Sequence, residues 1–180
     1  MSDPIETRRR KVQTAVPSTV PTDYLSEIDL EHARWSEIGA LVRLLSSEER
    51  IVPGYFHDPD WTMKDLAAHL GVWLAQAATE LTNVAANAYQ PRDLDIDMRN
   101  AETLAAWRDE PWDVVWGHAV SARANMLQRW FALRSSSGPA DLWVRKAGAE
   151  HYGEHLPRLR AWVAELIEIR TRPPSDEWDS

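Results

Sequence analysis

The chain has 180 residues, which suits one domain of ordinary size that can bury a single hydrophobic core without disulfides. Its formal net charge of −8 argues against binding to nucleic acid, because contact with phosphates requires a basic face. No apolar run approaches the roughly 20 residues that cross a bilayer, and the absence of cysteine excludes a thiolate of the protein itself as a nucleophile or metal ligand.

The two ends of the chain differ from its centre. Residues 1–22 contain three prolines among Ser, Thr and charged residues, without a sustained period, which predicts a mobile N-terminal extension. This end lacks the apolar core of a signal peptide, so we expect a cytoplasmic location. A Pro-Pro pair ends the last helix and predicts a flexible tail over residues 172–180, which leaves one folded domain over residues 23–171.

The first two helices are predicted from apolar residues that recur with the helical period. The first runs from about Thr22 to Leu45. The second opens at Trp61, where Thr62 and Asp65 have the spacing of a capping box. Its apolar stripe consists of Leu66, His69, Trp73, Ala77, Leu81 and Val84.

Two further helical segments follow. The third starts near Arg99, is interrupted at Pro111 and continues to about Leu133. The last runs from about Asp141 to Ile169, and its stripe is formed by Ala147, His151, His155, Leu159, Trp162, Leu166 and Ile169. Each of the two glycines inside it, at positions 148 and 153, costs about 1 kcal/mol relative to Ala, which indicates close packing there or a later helix start.

Four amphipathic segments without a convincing period-2 run predict an all-α protein, a four-helix bundle. The connection over residues 87–97 is long enough to cross the bundle. We therefore expect a long crossover connection between helices two and three, in place of simple up-down-up-down order.

Three histidines stand in these apolar stripes. His151 and His155 are four residues apart, so they lie on one helix face, about 40° apart. His69 belongs to the stripe of another helix, and one divalent ion could take all three imidazoles. A single buried histidine is more often a hydrogen-bonded core residue, and on the pattern alone the two interpretations are about equally favoured.

Two other histidines near apolar stripes are His32 and His118. Each is open to interpretation as a partner of a ligand, a base or a core residue. We favour the core interpretation for both.

The segment Trp61-Thr62-Met63-Lys64-Asp65-Leu66-Ala67-Ala68-His69-Leu70 resembles the W-T-x-x-D-x-x-x-H-L signature of the DinB-like superfamily. That group includes YfiT-like metalloproteins and the N-terminal domain of mycothiol-dependent maleylpyruvate isomerase. The pair at 151 and 155 falls where the family places its second and third ligands, and the segment around Asn100 is similar to the family's entry to helix three. The isomerase branch has Glu where this chain has His151, which is closer to the three-His branch.

The resemblance implies a DinB-like four-helix bundle that binds one divalent metal ion, with Zn or Ni favoured, through His69, His151 and His155. Trp61 and Trp73 are candidates for the wall of a pocket. The candidate catalytic residues are Asn100 and His118. Members of the superfamily often dimerise, so the resemblance allows a homodimer.

Three functions remain open from the sequence. The leading hypothesis is a thiol-dependent S-transferase or isomerase that acts on a small electrophilic substrate, with a low-molecular-weight thiol as cosubstrate. The second is a hydrolase in which the ion activates water, whose pKa can fall toward about 7. The third is a non-catalytic bundle that binds and sequesters a small molecule.

Overall fold

The structure is a computed structural model that describes residues 24–56, 60–133 and 138–172. Within these ranges the protein is all-helical and contains no β-strand. The helices are α1 (Tyr24–Leu44), α2 (Met63–Ala85), α3 (Ile96–Trp107), α4 (Trp112–Ala132), α5 (Gly138–Ala147) and α6 (Ala149–Thr171), with a 3₁₀ turn at Glu49–Ile51. The predicted extension over 1–22 and all but the first residue of the predicted tail lie outside the described ranges.

The start of α2 has the local structure that its sequence predicts. The backbone N–H of Asp65 donates to the Thr62 hydroxyl over 3.1 Å, and the backbone N–H of Thr62 donates to the Asp65 carboxylate over 2.8 Å. This reciprocal pair is a capping box, which satisfies two donors that a helix start leaves unpaired. It fixes where α2 begins, and therefore where His69 lies along the helix.

The predicted third and fourth segments are each divided in two. Pro111 separates α3 from α4, because proline has no N–H to donate and disfavours helix in the residue before it. The last segment divides at Gly148, between α5 and α6. A Cβ at this position would lie 2.6 Å from the carbonyl oxygen of Val144 and 3.4 Å from the Glu31 side chain, so the chain has room only for glycine.

Contacts between α2 and α4 show that these two helices run in the same direction. Gly71 faces Ala119, and eleven residues further along α2 the hydroxyl of Thr82 accepts a hydrogen bond from Arg129. Residues later in α2 therefore contact residues later in α4, as in a parallel pair of helices.

Helix α3 connects these two parallel helices in sequence and carries the chain back along α2. Arg99 donates to Gln76 over 3.2 Å, whereas the carbonyl oxygen of Arg108 accepts from Lys64 near the start of α2. Helix α3 thus lies antiparallel to α2. This path lets the chain re-enter the bundle at the end where α2 began.

The remaining long helices, α1 and α6, pack side by side and also run parallel. Arg34 donates to the carbonyl oxygen of Ala149 at the start of α6, and Arg170 near its end donates to the carbonyl oxygen of Leu44. The described helices thus pack as a bundle around one main apolar core, whose largest fully buried apolar side chains are Trp130, Tyr55, Tyr152, Ile38, Met63, Leu66, Leu70, Leu74, Leu81, Met126 and Leu159. None of the described helices has the length and apolar character needed to span a membrane.

Candidate metal centre

The three histidines of the predicted site meet inside the bundle. His69 lies on the second turn of α2, and His151 and His155 lie on the first turns of α6. The Nε2 atoms of His69 and His151 are 2.7 Å apart, and those of His151 and His155 are 3.2 Å apart. The structure therefore brings imidazoles from two separate helices to one point, and this three-histidine cluster can hold a metal ion.

The spacing of these nitrogens is close to that of ligands on a shared ion. Two nitrogens that each lie about 2.0–2.1 Å from one ion are about 2.8–3.4 Å apart at tetrahedral or octahedral angles. The 3.2 Å separation falls in this range, and the 2.7 Å separation is slightly shorter. A small outward movement of one imidazole would bring the 2.7 Å separation of His69 and His151 into this range.

Burial keeps the cluster neutral. His69 is 6% exposed and His155 is 9% exposed. Loss of hydration on burial, together with the neighbouring His155 ring, lowers the pKa of His69 to about 3, against the opposing effect of Asn100. Burial likewise lowers the pKa of His155 to about 4, and burial with both neighbouring imidazoles lowers that of His151 well below its ordinary value. Neutral imidazole is the form that binds metal ions.

The outer nitrogen of His155 has a well-placed partner. Its Nδ1 lies 2.9 Å from the hydroxyl oxygen of Tyr55, which is also 3.2 Å from the backbone carbonyl oxygen of His155. Burial raises the pKa of the Tyr55 hydroxyl above its ordinary value of 10, so this group keeps its proton at neutral pH. Ligating histidines in metal sites usually make such a bond through the nitrogen that does not bind the metal.

The outer nitrogens of the other two histidines have weaker partners. The Nδ1 atoms of His69 and His151 are buried and make no hydrogen bond of good geometry. Asn100 nevertheless lies close enough to His69, and the carbonyl oxygen of Ala147 close enough to His151, to raise the pKa of each ring against the effect of burial. The Nε2 atoms of the two rings lie on the side of the cluster, 2.7 Å apart.

Asn100 therefore lies behind a histidine of the cluster. Its side-chain oxygen also accepts a hydrogen bond of 3.3 Å from Trp73 Nε1. Through Asn100, α3 is hydrogen-bonded to the indole of Trp73 and lies beside the imidazole of His69. The position suits a residue that orients the site.

Aromatic rings surround the cluster. The ring centroid of Trp61 lies 5.1 Å from that of His69, and the Trp73 centroid lies 6.5 Å from those of both His69 and His151. The two tryptophans predicted as a pocket wall thus lie against the histidines. Phe56 adds a third wall, with its centroid 6.1 Å from that of His155.

A cleft of about 410 Å³ adjoins this aromatic wall. Trp61 lines the cleft and also packs against His69, so this indole contacts both the cleft and the histidine cluster. The lining combines apolar side chains with both signs of charge and consists of Ile51, Asp60, Trp61, Thr62, Lys64, Asp65, Leu104 and Arg108.

His118 is not part of the three-histidine cluster. Its ring packs against that of Trp107 with centroids 4.5 Å apart, near Gly71 at the crossing of α2 and α4. Burial lowers its pKa, and its Nε2 is buried without a hydrogen bond. The core interpretation of His32 is wrong, because this residue is exposed and its Nδ1 bonds the carbonyl oxygen of Ile28 on the surface of α1.

The start of α6 is anchored by a buried charged group. The Glu31 side chain is 1% exposed and accepts two hydrogen bonds from the Arg123 guanidinium, at 2.6 and 2.5 Å. The Tyr152 hydroxyl donates to the same carboxylate over 3.2 Å. Because Tyr152 follows His151 directly, this network links α1 and α4 to the first turns of α6, which carry two of the three histidines.

Close packing explains the glycine between the two histidines of α6. A Cβ on Gly153 would lie 2.7 Å from Nη1 of Arg34, and that same nitrogen donates to the carbonyl oxygen of Ala149 over 2.6 Å. Of the two interpretations that the sequence allows for Gly153, close packing and a later helix start, this contact favours close packing. Helix α1 can thereby approach the first turns of α6.

Tyr55 and Phe56 are absent from the sequence-based site. They belong to the loop between α1 and α2, which reaches α6 through contacts a hundred residues away in sequence. Their only signal is an aromatic pair placed directly after the Pro53-Gly54 helix breaker. Helical periodicity carries no information about the path of such a loop.

Comparison of the chain with models of protein families, with curated proteins and with solved structures finds no significant match.

Proposed function

We propose that the protein is a divalent-metal-dependent enzyme built on a DinB-like four-helix bundle, and that it uses an external thiol to transform a small electrophilic substrate by S-transfer or isomerisation. The observation that carries the proposal is the convergence of three imidazole nitrogens from two helices. The sequence resemblance around His69 supports the assignment to the superfamily and the use of a thiol.

The donor set suits a transition-metal ion. Three neutral imidazoles are typical ligands of Zn, Ni, Cu and Fe, whereas Mg and Ca prefer oxygen. Zinc or nickel is the ion that we propose for His69, His151 and His155.

Three neutral protein ligands would leave a bound ion with its full positive charge and room for a further ligand from solution, as in catalytic sites. When bound there, the ion would act as a Lewis acid that lowers the pKa of an incoming thiol or water. The chain has no cysteine, so a thiolate nucleophile has to come from a cosubstrate.

The remaining roles fall to the protein's own side chains. Trp61, Trp73 and Phe56 form an apolar wall at the histidines that would hold a small substrate and exclude water. Asn100 would orient His69 from behind. His118 stays a catalytic candidate only for a substrate that extends toward Trp107 at the α2–α4 crossing.

A thiol titration of the Co(II)-loaded protein tests the proposal. We expect one Co(II) per chain, and a sulfur-to-cobalt charge-transfer band that saturates as a small thiol is added. The variant His69→Ala should lose the metal, whereas His32→Ala, which removes an exposed histidine, should keep both the metal and the band. Stoichiometric metal with a spectrum that millimolar thiol leaves unchanged would contradict the thiol-dependent route.

A hydrolase is the second candidate, because three neutral ligands also suit activation of water. It predicts turnover without thiol on a panel of esters, amides and strained rings. A bundle that binds metal and a small molecule but turns over no substrate, with or without thiol, would be a sequestering protein.

A further inference from the structure

We propose that Tyr55 is a positioning residue that fixes the tautomer and the ring orientation of His155, so that Nε2 is the nitrogen presented to the three-histidine cluster. The inference deepens the proposed function. Its consequence for metal binding rests on that function. The tautomer and ring orientation of His155 are properties of the metal-free protein.

The tautomer follows from a count of donors and acceptors. The Tyr55 hydroxyl has one proton and lies 3.2 Å from the carbonyl oxygen of His155, which can only accept. Donation to that carbonyl oxygen is the assignment that makes both contacts hydrogen bonds, because a hydroxyl that donated to Nδ1 would leave its oxygen facing the carbonyl oxygen without a proton between them. The hydroxyl oxygen is then the acceptor in the 2.9 Å contact with His155 Nδ1, so the proton of the neutral imidazole lies on Nδ1.

The opposite nitrogen carries the lone pair. Nε2 of His155 points to Nε2 of His151, 3.2 Å away, on the side where the three rings converge. One hydroxyl thus binds both the backbone and the ring of the same residue, and restrains the rotation of His155 about its side-chain bonds.

Tyr55 is itself held firmly in place. It is fully buried, and its ring packs against those of Phe56 and Trp162, with centroids 4.5 and 6.0 Å away. Its backbone N–H donates to the carbonyl oxygen of Trp61 over 2.9 Å. The loop therefore cannot shift without disturbing the start of α2.

A side chain of α6 completes the attachment of this loop. Arg158 donates from Nε to the carbonyl oxygen of Tyr55 and from Nη2 to that of Gly54, both over 2.7 Å. Because Arg158 stands one turn after His155 on the same helix, the loop and the ligand are fixed to one rigid element. Because the Tyr55 hydroxyl is held in place in this way, it can favour one tautomer of His155.

The test compares Tyr55→Phe with the wild-type protein by long-range ¹⁵N-edited NMR of the histidine rings in the metal-free state. We expect His155 to be the Nδ1–H tautomer in the wild type and to lose this preference in the variant, which keeps the aromatic ring. Metal affinity, measured by competition with a chromophoric chelator, should fall about 10- to 100-fold, as for other partners of metal ligands.

The matched control is Tyr152→Phe, which removes the hydroxyl of an equally buried tyrosine that bonds Glu31. It should leave the His155 tautomer unchanged. An Nε2–H tautomer in the wild type would overturn the proposal without any variant, as would a folded Tyr55→Phe protein with the wild-type tautomer. A tautomer change in a protein that binds no metal would support the positioning role and contradict the proposed function.

Discussion

At the scale of single residues, the site depends on which nitrogen of each imidazole is free. His155 has the Tyr55 hydroxyl behind it, His69 has Asn100, and His151 has the carbonyl oxygen of Ala147. On the side of the cluster, the Nε2 atoms of His69 and His155 lie 2.7 and 3.2 Å from Nε2 of His151, so lone pairs on these atoms would face one another. Lone pairs in such an arrangement repel unless a proton or a cation lies between them, which is the physical reason for expecting a metal ion there.

The same burial predicts how the metal-free protein responds to acid. The folded-state pKa values of His69 and His155 are lowered to about 3 and about 4, from an ordinary value of 6.5. Between the folded-state pKa values and the ordinary value of 6.5, the unfolded chain binds more protons than the folded one. The free energy of unfolding therefore falls as pH decreases. Stability from this source is fully present above about pH 6.5 and is lost progressively toward pH 4.

Urea unfolding of the metal-free protein between pH 8 and pH 4 measures this effect. Replacing His69 by Gln should reduce the slope of stability against pH, whereas His32→Gln, at an exposed position, should leave the slope unchanged. Equal slopes in the wild type and His69→Gln would show that this imidazole is not buried in its neutral form.

The sequence predicts the three ligand candidates but not the residues that support them. His69, His151 and His155 stand in helical stripes, and the motif beginning at Trp61 singles out the first of them. Tyr55 reaches His155 from a loop, through a contact set by the tertiary fold. No local pattern encodes such a contact, and the same holds for the carboxylate of Glu31, which is buried against a distant arginine.

At the scale of elements, helix starts and breaks are more predictable than helix lengths. The capping box at Thr62 and the break at Pro111 follow from local chemistry, and both are confirmed. The division at Gly148 depends on Val144 and Glu31, of which the second lies on another helix. The sequence therefore shows an unfavourable glycine but cannot distinguish a break from close packing inside a continuous helix.

The crossing of α2 and α4 gives a prediction about another closely packed glycine, Gly71. A Cβ on Gly71 would lie 2.8 Å from His118 Cδ2 and 3.1 Å from the Cα of Ala119, so the two helices would have to move apart. We expect Gly71→Ala to lower the free energy of unfolding by about 1–3 kcal/mol, despite the higher helix propensity of alanine.

The control for this change is Gly117→Ala on α4, where no heavy atom lies within 4 Å of the added Cβ. Only helix propensity changes there, so the variant should be more stable by up to about 1 kcal/mol. Chemical denaturation of both variants provides the comparison. Equal stabilisation by the two substitutions would mean that α2 and α4 are further apart than described.

At the scale of the whole molecule, the site exists because the chain path brings α2 against the start of α6. Helices α2 and α4 run parallel, with α3 as the returning segment. The sequence predicts the crossover over residues 87–97, whereas in the structure α3 (Ile96–Trp107) is the segment that returns the chain along α2. The buried Glu31–Arg123 pair then ties α1 to α4, and the three-histidine cluster joins α2 to α6.

The most direct test of this account is X-ray absorption spectroscopy of the protein, prepared without an affinity tag and loaded with one equivalent of Zn(II). We predict a first shell that includes three imidazole nitrogens at about 2.0–2.1 Å, with the multiple scattering of histidine rings. A shell made only of oxygen, or one that is unchanged in a variant lacking His69, would contradict the claim that α2 and α6 together form one metal site.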